Sequence, residues 1–504
     1  MTTAASPPVS SRRRWAGLVV LSASVLLVVM DMTVLNVALP AMSEDLRPDS
    51  IELLWMVDAY ALVLSGLLVT VSALGDRWGR KRMLLTGFAV FGLASLAVLA
   101  TDSPLEVIAV RALLGVGGAM IMPSTLSMIR NLFTDPAERA RALGVWSAMA
   151  AVGAALGPIL AGFLLGHFSW HAAFLVNVPV MATAIAAGVF LLPESRNPAP
   201  GRWDALATVL SMAGMVALVF AVKTFGKYGL TAPSALTAAV VAVVALGWFA
   251  ARCLRRPDPL LELRLFRGGP FSAGVVTALT TSIAMAAVLL LLAQWMQLVQ
   301  GYSPLETGVR LLPAALAALV ASPLAPALAE RVGARTVLAG GLAVTGLGFL
   351  PLFLAPAPLG YWPVAGALML IGIGNGSLAV ASAVIMSGTP AAKSGSAAAI
   401  EETSYEVGGA LGVAVLGSVA AAVYRAEVAY DGPAAGVVRE SLGGAIDVTR
   451  ELGAPGGAVA DQARAAFTDS LVLTSAAGAA LMLAGALAVW LLTPRTLDLS
   501  PTHH

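Results

Sequence analysis

Cysteine is almost missing from this chain: Cys253 is the only one in 504 residues, which excludes an intrachain disulfide and a cysteine metal site. Charge is scarce too, with 12% Asp, Glu, Lys and Arg against 58% hydrophobic residues. That balance excludes a string of soluble domains and makes lipid the expected solvent. A formal net charge of +2, carried on scattered residues, excludes a nucleic-acid surface. No P-loop, no Ser or Cys nucleophile motif and no long polar stretch occurs, which argues against an embedded enzyme and against ATP drive. Of the four histidines, His167 and His171 flank a turn beside Trp170 and lack a third metal ligand, and His503 and His504 close the chain. Lysine is rare beside arginine, and Ala, Gly, Val and Leu dominate, as in coding from a GC-rich bacterial genome.

What is present is one long apolar run after another. A bilayer-crossing helix needs about 20 largely apolar residues, and that window predicts spans near 15–40, 52–73, 83–101, 106–129, 142–164, 172–192, 204–223, 233–253, 270–299, 307–329, 337–355, 362–386, 397–423 and 466–493. The basic flank Arg12 to Arg14 and the first run are too long for a secretory signal, so a retained first helix is expected. Loop charge tests the count, because cytoplasmic loops collect Lys and Arg. With both termini inside, the inward loops are DRWGRKR (76–82), RNLFTDPAERAR (130–141), LRRPDPLLELRLFR (254–267) and ERVGAR (330–335). The outward connections are short and nearly uncharged, apart from Lys223, Lys227 and the long segment 424–465. Within that segment, VVRESLGGAIDVTRELG between Gly-Pro turns reads as short amphipathic helices, either a solvated connector or a lid over the outer mouth.

SALGDRWGRK (72–81) and PALAERVGAR (326–335) share one frame in equivalent loops. Such an internal repeat in a transporter means two halves with a site between them near the midplane, and argues for alternating access over a channel. The expected organisation is a cytoplasmic N-terminus at 1–14, a six-helix half at 15–192, an inserted helix pair with flanking loops at 193–269, a second six-helix half at 270–493 and a cytoplasmic tail at 494–504. The fold class is all-α integral membrane.

These residues resemble the major facilitator superfamily, specifically its fourteen-helix drug:proton antiporter branch, over about residues 15 to 425. SALGDRWGRKR (72–82) looks like the loop motif between helices two and three, with Ser72 in place of the usual first glycine. LEVIAVRALLGVGGA (105–119) resembles the fourth-helix motif and supplies Arg111, with Leu114 where a polar residue is common. GAALGPILAG (153–162) is similar to the antiporter motif of helix five, with Ala161 for a glycine, and MDMTVLNVALP (30–40) resembles the first-helix signature. WMVDAYALVL (55–64) and AIEETSYEVGGALGVAVLGS (399–418) look most like the QacA-type exporters of quaternary ammonium compounds. The resemblance implies a proton-coupled antiporter of lipophilic cationic drugs and dyes in a bacterial cytoplasmic membrane, monomeric, without a cofactor other than the proton gradient. The alternative is a dedicated exporter of one self-made antibiotic or metabolite.

Single residues carry the chemistry. An ionised Asp31 in mid-span costs about 2.5–3.5 kcal/mol on insertion scales, so it needs a partner, a proton or a function. With Arg111 at overlapping depth it is either a staple between helices or a titratable proton-coupling carboxylate. Asp58, near Trp55 and Tyr60, suits a delocalised cation through charge pairing and cation–π attraction of about 0.5–2 kcal/mol; the other reading is an interfacial belt with a hydrated aspartate. Glu402 and Glu406 share one face of the thirteenth helix, one turn apart, where a divalent cation meets both, whereas Glu401 points elsewhere and reaches the cytoplasmic water. Gln294, Gln297 and Asn375 either line a cavity or bond neighbouring helices. Gly153, Gly157 and Pro158 permit close packing and a bend in helix five, a seam that by resemblance suits inward-closed packing. By resemblance too, Asp76, with Gly79, Arg80 and Lys81, forms a gate latch against a helix N-terminus of the other half.

Overall fold

Polar caps at the ends of apolar runs set where helices begin. Ser103 accepts from the Glu106 amide while Glu106 reaches back to the Ser103 amide, with Pro104 in the first turn, and Ser303, Pro304 and Glu306 repeat the arrangement. Each box satisfies N–H groups that a helix leaves orphaned. The computed structural model describes residues 10–48, 50–197, 203–228, 232–432, 434–452 and 456–495. Among these the chain is all-helical, the solution that satisfies backbone polar groups in lipid without an open sheet edge. Expectations for residues 1–9, for His503 and for His504 lie outside the described residues.

Among the described residues, fourteen helices are long and apolar enough to cross a membrane. They are α1 (Ser11–Leu46), α2 (Ser50–Trp78), α3 (Arg80–Ala97), α4 (Pro104–Leu132), α5 (Pro136–Leu165), α6 (Ala172–Leu191), α7 (Ala205–Tyr228), α8 (Pro233–Arg255), α9 (Gly269–Gln294), α10 (Pro304–Val332), α11 (Ala334–Leu354), α12 (Tyr361–Ser387), α13 (Ser394–Glu427) and α14 (Gly456–Leu492). The even count among the described residues places the start of α1 and the end of α14 at one end of the bundle, with the Arg-rich loops. That end is called the basic end below.

Buried apolar side chains gather into two large clusters, one centred on α1 to α6 and one on α9 to α14. Along the seam between these two groups of six helices, called the halves below, lies the pair α7 and α8. α7 packs on α2 of the first half and α13 of the second, while α8 packs chiefly on α7 and exposes Val240, Val243, Val244 and Trp248, an apolar face suited to lipid. Asp204 ties the pair together: it caps the Ala207 amide at 3.1 Å and pairs with Arg252 and Arg256, each at 2.7 Å. The hydrogen bond from Arg252, which outweighs the effect of burial, holds the Asp204 carboxyl below the usual carboxylate range.

The repeated loop has a backbone cause. Gly79 and Gly333 occupy the same place in the shared frame, both precede a helix, and both have positive φ, 119° and 86°, where a side chain is strained. The acids diverge: Asp76 is engaged between the halves, whereas Glu330 is exposed.

Two sequence expectations need adjustment. Lys223 does not belong to an outward connection; α7 runs to Tyr228 and carries Lys223 inside the helix, because the apolar window ends at a charge that a helix with a partner for it need not avoid. Segment 424–465 holds the expected short helices, Ala435–Glu440 and Leu442–Leu452. Val438, Leu442 and Ala445 are buried, and the Tyr424 hydroxyl donates to the Val438 carbonyl at 3.0 Å, so these two helices are folded onto the second half.

Candidate functional site

At the centre of the first half, α1 presents Asp31 to α4. Arg111 Nη1 donates to Asp31 Oδ2 at 3.0 Å, and the two side chains are 2% and 1% exposed. Asn177, at the start of the main α6 segment, donates to Asp31 Oδ1 at 2.8 Å and to Ser95 Oγ at 3.1 Å. The Arg111 guanidinium also lies over the Tyr60 ring, 4.7 Å from its centroid, while the buried Tyr60 hydroxyl has no hydrogen-bond partner among the described residues. Residues of five helices, α1 to α4 and α6, thus meet around one carboxylate, which Arg111 and Asn177 bond directly. Breaking a buried pair of this kind by removing one partner costs about 3–5 kcal/mol, whereas a proton on the carboxylate discharges it without displacing an atom.

The aromatic surroundings expected for Asp58 are different. Tyr60 is buried and its ring face serves Arg111, and Trp55 is 41% exposed. A helix places residues 58 and 60 about 200° apart, so they face different neighbours. Asp58 instead forms an ion pair with Lys223 of α7. Glu406 of α13 lies near enough to Lys223 for charge interaction. Glu402, one turn earlier, is buried, and its Oε1 has no hydrogen-bond partner among the described residues.

Glu401 corrects a second expectation. Rather than reaching water it is fully buried, accepting hydrogen bonds from Ser382 of α12 and, at 2.8 Å, from the Tyr405 hydroxyl. The side of α13 that carries Glu401 is covered by α12, which a single-helix wheel cannot show. Gln294 and Gln297 are half-buried and Asn375 is buried where α12 is interrupted. His171 stacks on Trp170 at 3.7 Å, and His167 bonds the Phe163 carbonyl. An apolar recess of about 590 Å³ opens between α1 and α6, lined by Val19, Val20, Val180 and Ala184 among others; without a charged group it offers no means of selecting cations.

Polar contacts join the halves at the basic end. Asp76 pairs with Arg80 at 2.6 Å, and its carboxylate lies so close to the first turn of α13 that a methyl on Gly395 would fall 2.3 Å from Oδ2. A helix N-terminus is a favourable place for that charge. Ser72 Oγ donates to the Gly395 carbonyl at 2.6 Å, Arg130 donates to the Thr389 carbonyl, and Arg139 donates to Ser387 Oγ at 2.9 Å. Lys81 Nζ donates to the Val189 carbonyl at 2.7 Å, within the first half, and a methyl on Gly79 would collide with the Glu194 carboxylate. The basic end is therefore closed.

The helix-five glycines divide in use. Gly153 and Gly157 face α1: a methyl at Gly157 would lie 1.9 Å from Thr33 Oγ1, and one at Gly153 would lie 2.4 Å from the Leu26 carbonyl oxygen. They press α5 onto the stretch of α1 that carries Asp31, with Pro158 inside the helix beside them. Contact with the other half falls to Gly144, against the Ser322 backbone, and Gly162, against Leu305. Sequence reasoning did not find Asn177, Ser382, Arg130, Arg139 or the role of Lys223. For Lys223 a signal existed, a lone charge at the end of an apolar run; the others look like ordinary polar punctuation.

The family model described as Major Facilitator Superfamily matches residues 21–413. The multidrug efflux pump LfrA of Mycolicibacterium smegmatis is 41% identical over 95% of this chain and 96% of its own length. The methyl viologen resistance protein SmvA of Salmonella typhimurium is 36% identical over 94% of this chain and 97% of its own. Among solved structures, the human organic anion transporter MFSD10 superposes with a TM-score of 0.61 at 14% identity, covering 94% of this chain and 99% of that one, a likeness of fold alone.

Proposed function

The chain belongs to the major facilitator superfamily, and from that premise we propose that it is a proton-driven antiporter exporting lipophilic cations, with its basic end in the cytoplasm of a bacterium. That it is a multi-pass transporter rather than an enzyme follows from the family and from relatives that are multidrug efflux or resistance proteins. The observation that carries the finer reading is a set of carboxylates held inside the apolar spans: Asp31 in the first half, and Glu402 and Glu406 in the second with Asp58 nearby across α7.

In this reading Asp31 is the proton carrier. Protonation discharges it, weakens its hold on Arg111 and leaves the guanidinium on the Tyr60 ring, so that the change reaches α2, the helix that bears Asp58. Deprotonation restores the pair. Asp58, Glu402 and Glu406 then offer counter-charges to a substrate cation, and a flat dication such as the methyl viologen in the name of SmvA engages more than one of them. Asp76 on the α13 terminus, with Arg80, Lys81 and Gly79, serves as the cytoplasmic latch, and the Gly153, Gly157 and Pro158 seam keeps α1 and α5 together through the cycle. The proton gradient supplies the energy and no cofactor is required.

The test is a panel of cationic, neutral and anionic dyes assayed in everted membrane vesicles with and without a proton gradient. Uphill movement of the cations alone, lost when the gradient is collapsed, is expected. Equal handling of all three classes, or transport that survives collapse, contradicts the reading.

A further inference from the structure

The inserted helix α7 runs along the seam between the halves. Gly66 of α2 admits Val216 of α7, a methyl there falling 2.8 Å from Val216 Cγ2, and Gly226 of α7 touches Ala414 of α13. Leu62, Val219 and Ala410, one from each of these helices, form a small apolar cluster. Lys223 follows Val219 by one turn and so lies on the same face of α7. It is the only charged residue between Ala205 and Gly226, and its ammonium reaches Asp58 of one half while lying in the field of Glu406 of the other.

Resting on the cation-export reading above, we propose that Lys223 is a built-in cation occupying the unloaded substrate site between Asp58 and Glu406, and that a cationic substrate binds by displacing it. Three features of the geometry favour displacement over a fixed staple. The Lys223 side chain is 29% exposed on a flexible four-carbon stem, so it is free to swing away from Asp58, unlike the enclosed and stacked Arg111. Its single charge faces more than one carboxylate. Glu402, adjoining Glu406, keeps a buried Oε1 without a hydrogen-bond partner among the described residues, so the site holds acceptor capacity that Lys223 does not use. An arriving dication thus satisfies more of the cluster than the lysine does. Return of the ammonium after release refills the site from within the protein and helps expel the substrate. The inserted pair then contributes a tethered competitor as well as two further spans.

Ethidium and propidium share a ring system and differ by one positive charge, which makes them suitable probes. In nanodiscs, Lys223→Met should bind both dyes about tenfold more tightly than wild type, and in proteoliposomes it should export them more slowly, because nothing displaces them. Lys223→Arg, which keeps a charge at the position, should lack the gain in affinity. On the wild-type protein, reductive methylation of Lys223 followed by peptide mass spectrometry should accelerate several-fold when propidium saturates the site. Unchanged or weaker dye affinity in a folded Lys223→Met, or labelling that propidium leaves unaltered or slows, overturns the displacement. If the variant does not fold, the labelling result decides. If wild-type protein binds neither dye, the export reading fails and this inference with it; if wild type binds both and the Lys223 results do not appear, the inference alone fails.

Discussion

Arg111 shows how much one side chain is asked to do: it holds Asp31 at 3.0 Å and stacks on Tyr60. A lysine keeps the charge but has neither the planar face nor the fork. Arg111→Lys is therefore expected to reach the membrane and yet to lose uphill transport at least tenfold, read as the initial rate of dye efflux; near wild-type rates would mean that charge alone suffices. The acidic seam supports a second expectation. Asp58→Asn, or Glu402→Gln with Glu406→Gln, removes counter-charges from one side of the site. The loss in affinity should be about tenfold, or ~1.4 kcal/mol, for propidium and within about threefold for ethidium. Equal losses for both dyes would assign these carboxylates to folding or coupling. Residue chemistry was only partly legible in the sequence. Asp31 and Arg111 stand out because ionised groups inside a span need a reason to be there. The covering of Glu401 by Ser382 and the bond from Asn177 to Asp31 depend on which helices are neighbours, information that no local window contains.

At the scale of elements, the fourteen spans were legible because length and hydropathy decide them, and the structure has fourteen. Helix ends were less so. α1 runs on to Leu46 and α7 to Tyr228, past the points where the apolar windows close, since hydrogen bonding continues beyond the hydrophobic limit. The glycine spacing of helix five announced a close seam, but its partner, α1, emerged only from the fold. Gly157→Val places its side chain into Thr33 and the Met30 carbonyl. Overpacking of this kind costs about 1–3 kcal/mol, and here it separates α1 from α5 beside Asp31. The expected outcome is a lower thermal midpoint in detergent, followed by fluorescence, together with reduced transport by the protein that remains folded. An unchanged midpoint would show that the seam yields without cost.

For the whole molecule, the proposed alternation between states depends on the contacts that close the basic end. Asp76 lies against the first turn of α13, and Ser72, Arg130 and Arg139 bond backbone or hydroxyl groups of the other half. A carboxylate at a helix N-terminus contributes about 0.3–2 kcal/mol depending on its burial. Asp76→Asn should therefore shift the balance between closed and open basic ends by about two- to thirtyfold, lowering turnover while leaving dye affinity within a few-fold. A collapse of affinity with normal turnover would remove Asp76 from the latch. The repeat in the sequence pointed to paired loops, yet it could not show that Asp76 of the first copy meets the other half while Glu330 of the second is exposed, because the asymmetry lies in what each acid meets.

The central claim, that Asp31 carries the proton which drives export, separates two activities that one preparation can measure. In proteoliposomes, ethidium accumulation driven by an imposed pH gradient requires a proton to be carried, whereas ethidium–ethidium counterflow requires only a site that alternates between the two sides. Asp31→Asn is expected to abolish the first and retain the second. Uphill accumulation at wild-type rates in the Asp31→Asn protein, or loss of both activities from a protein that remains folded and binds dye, would contradict the claim.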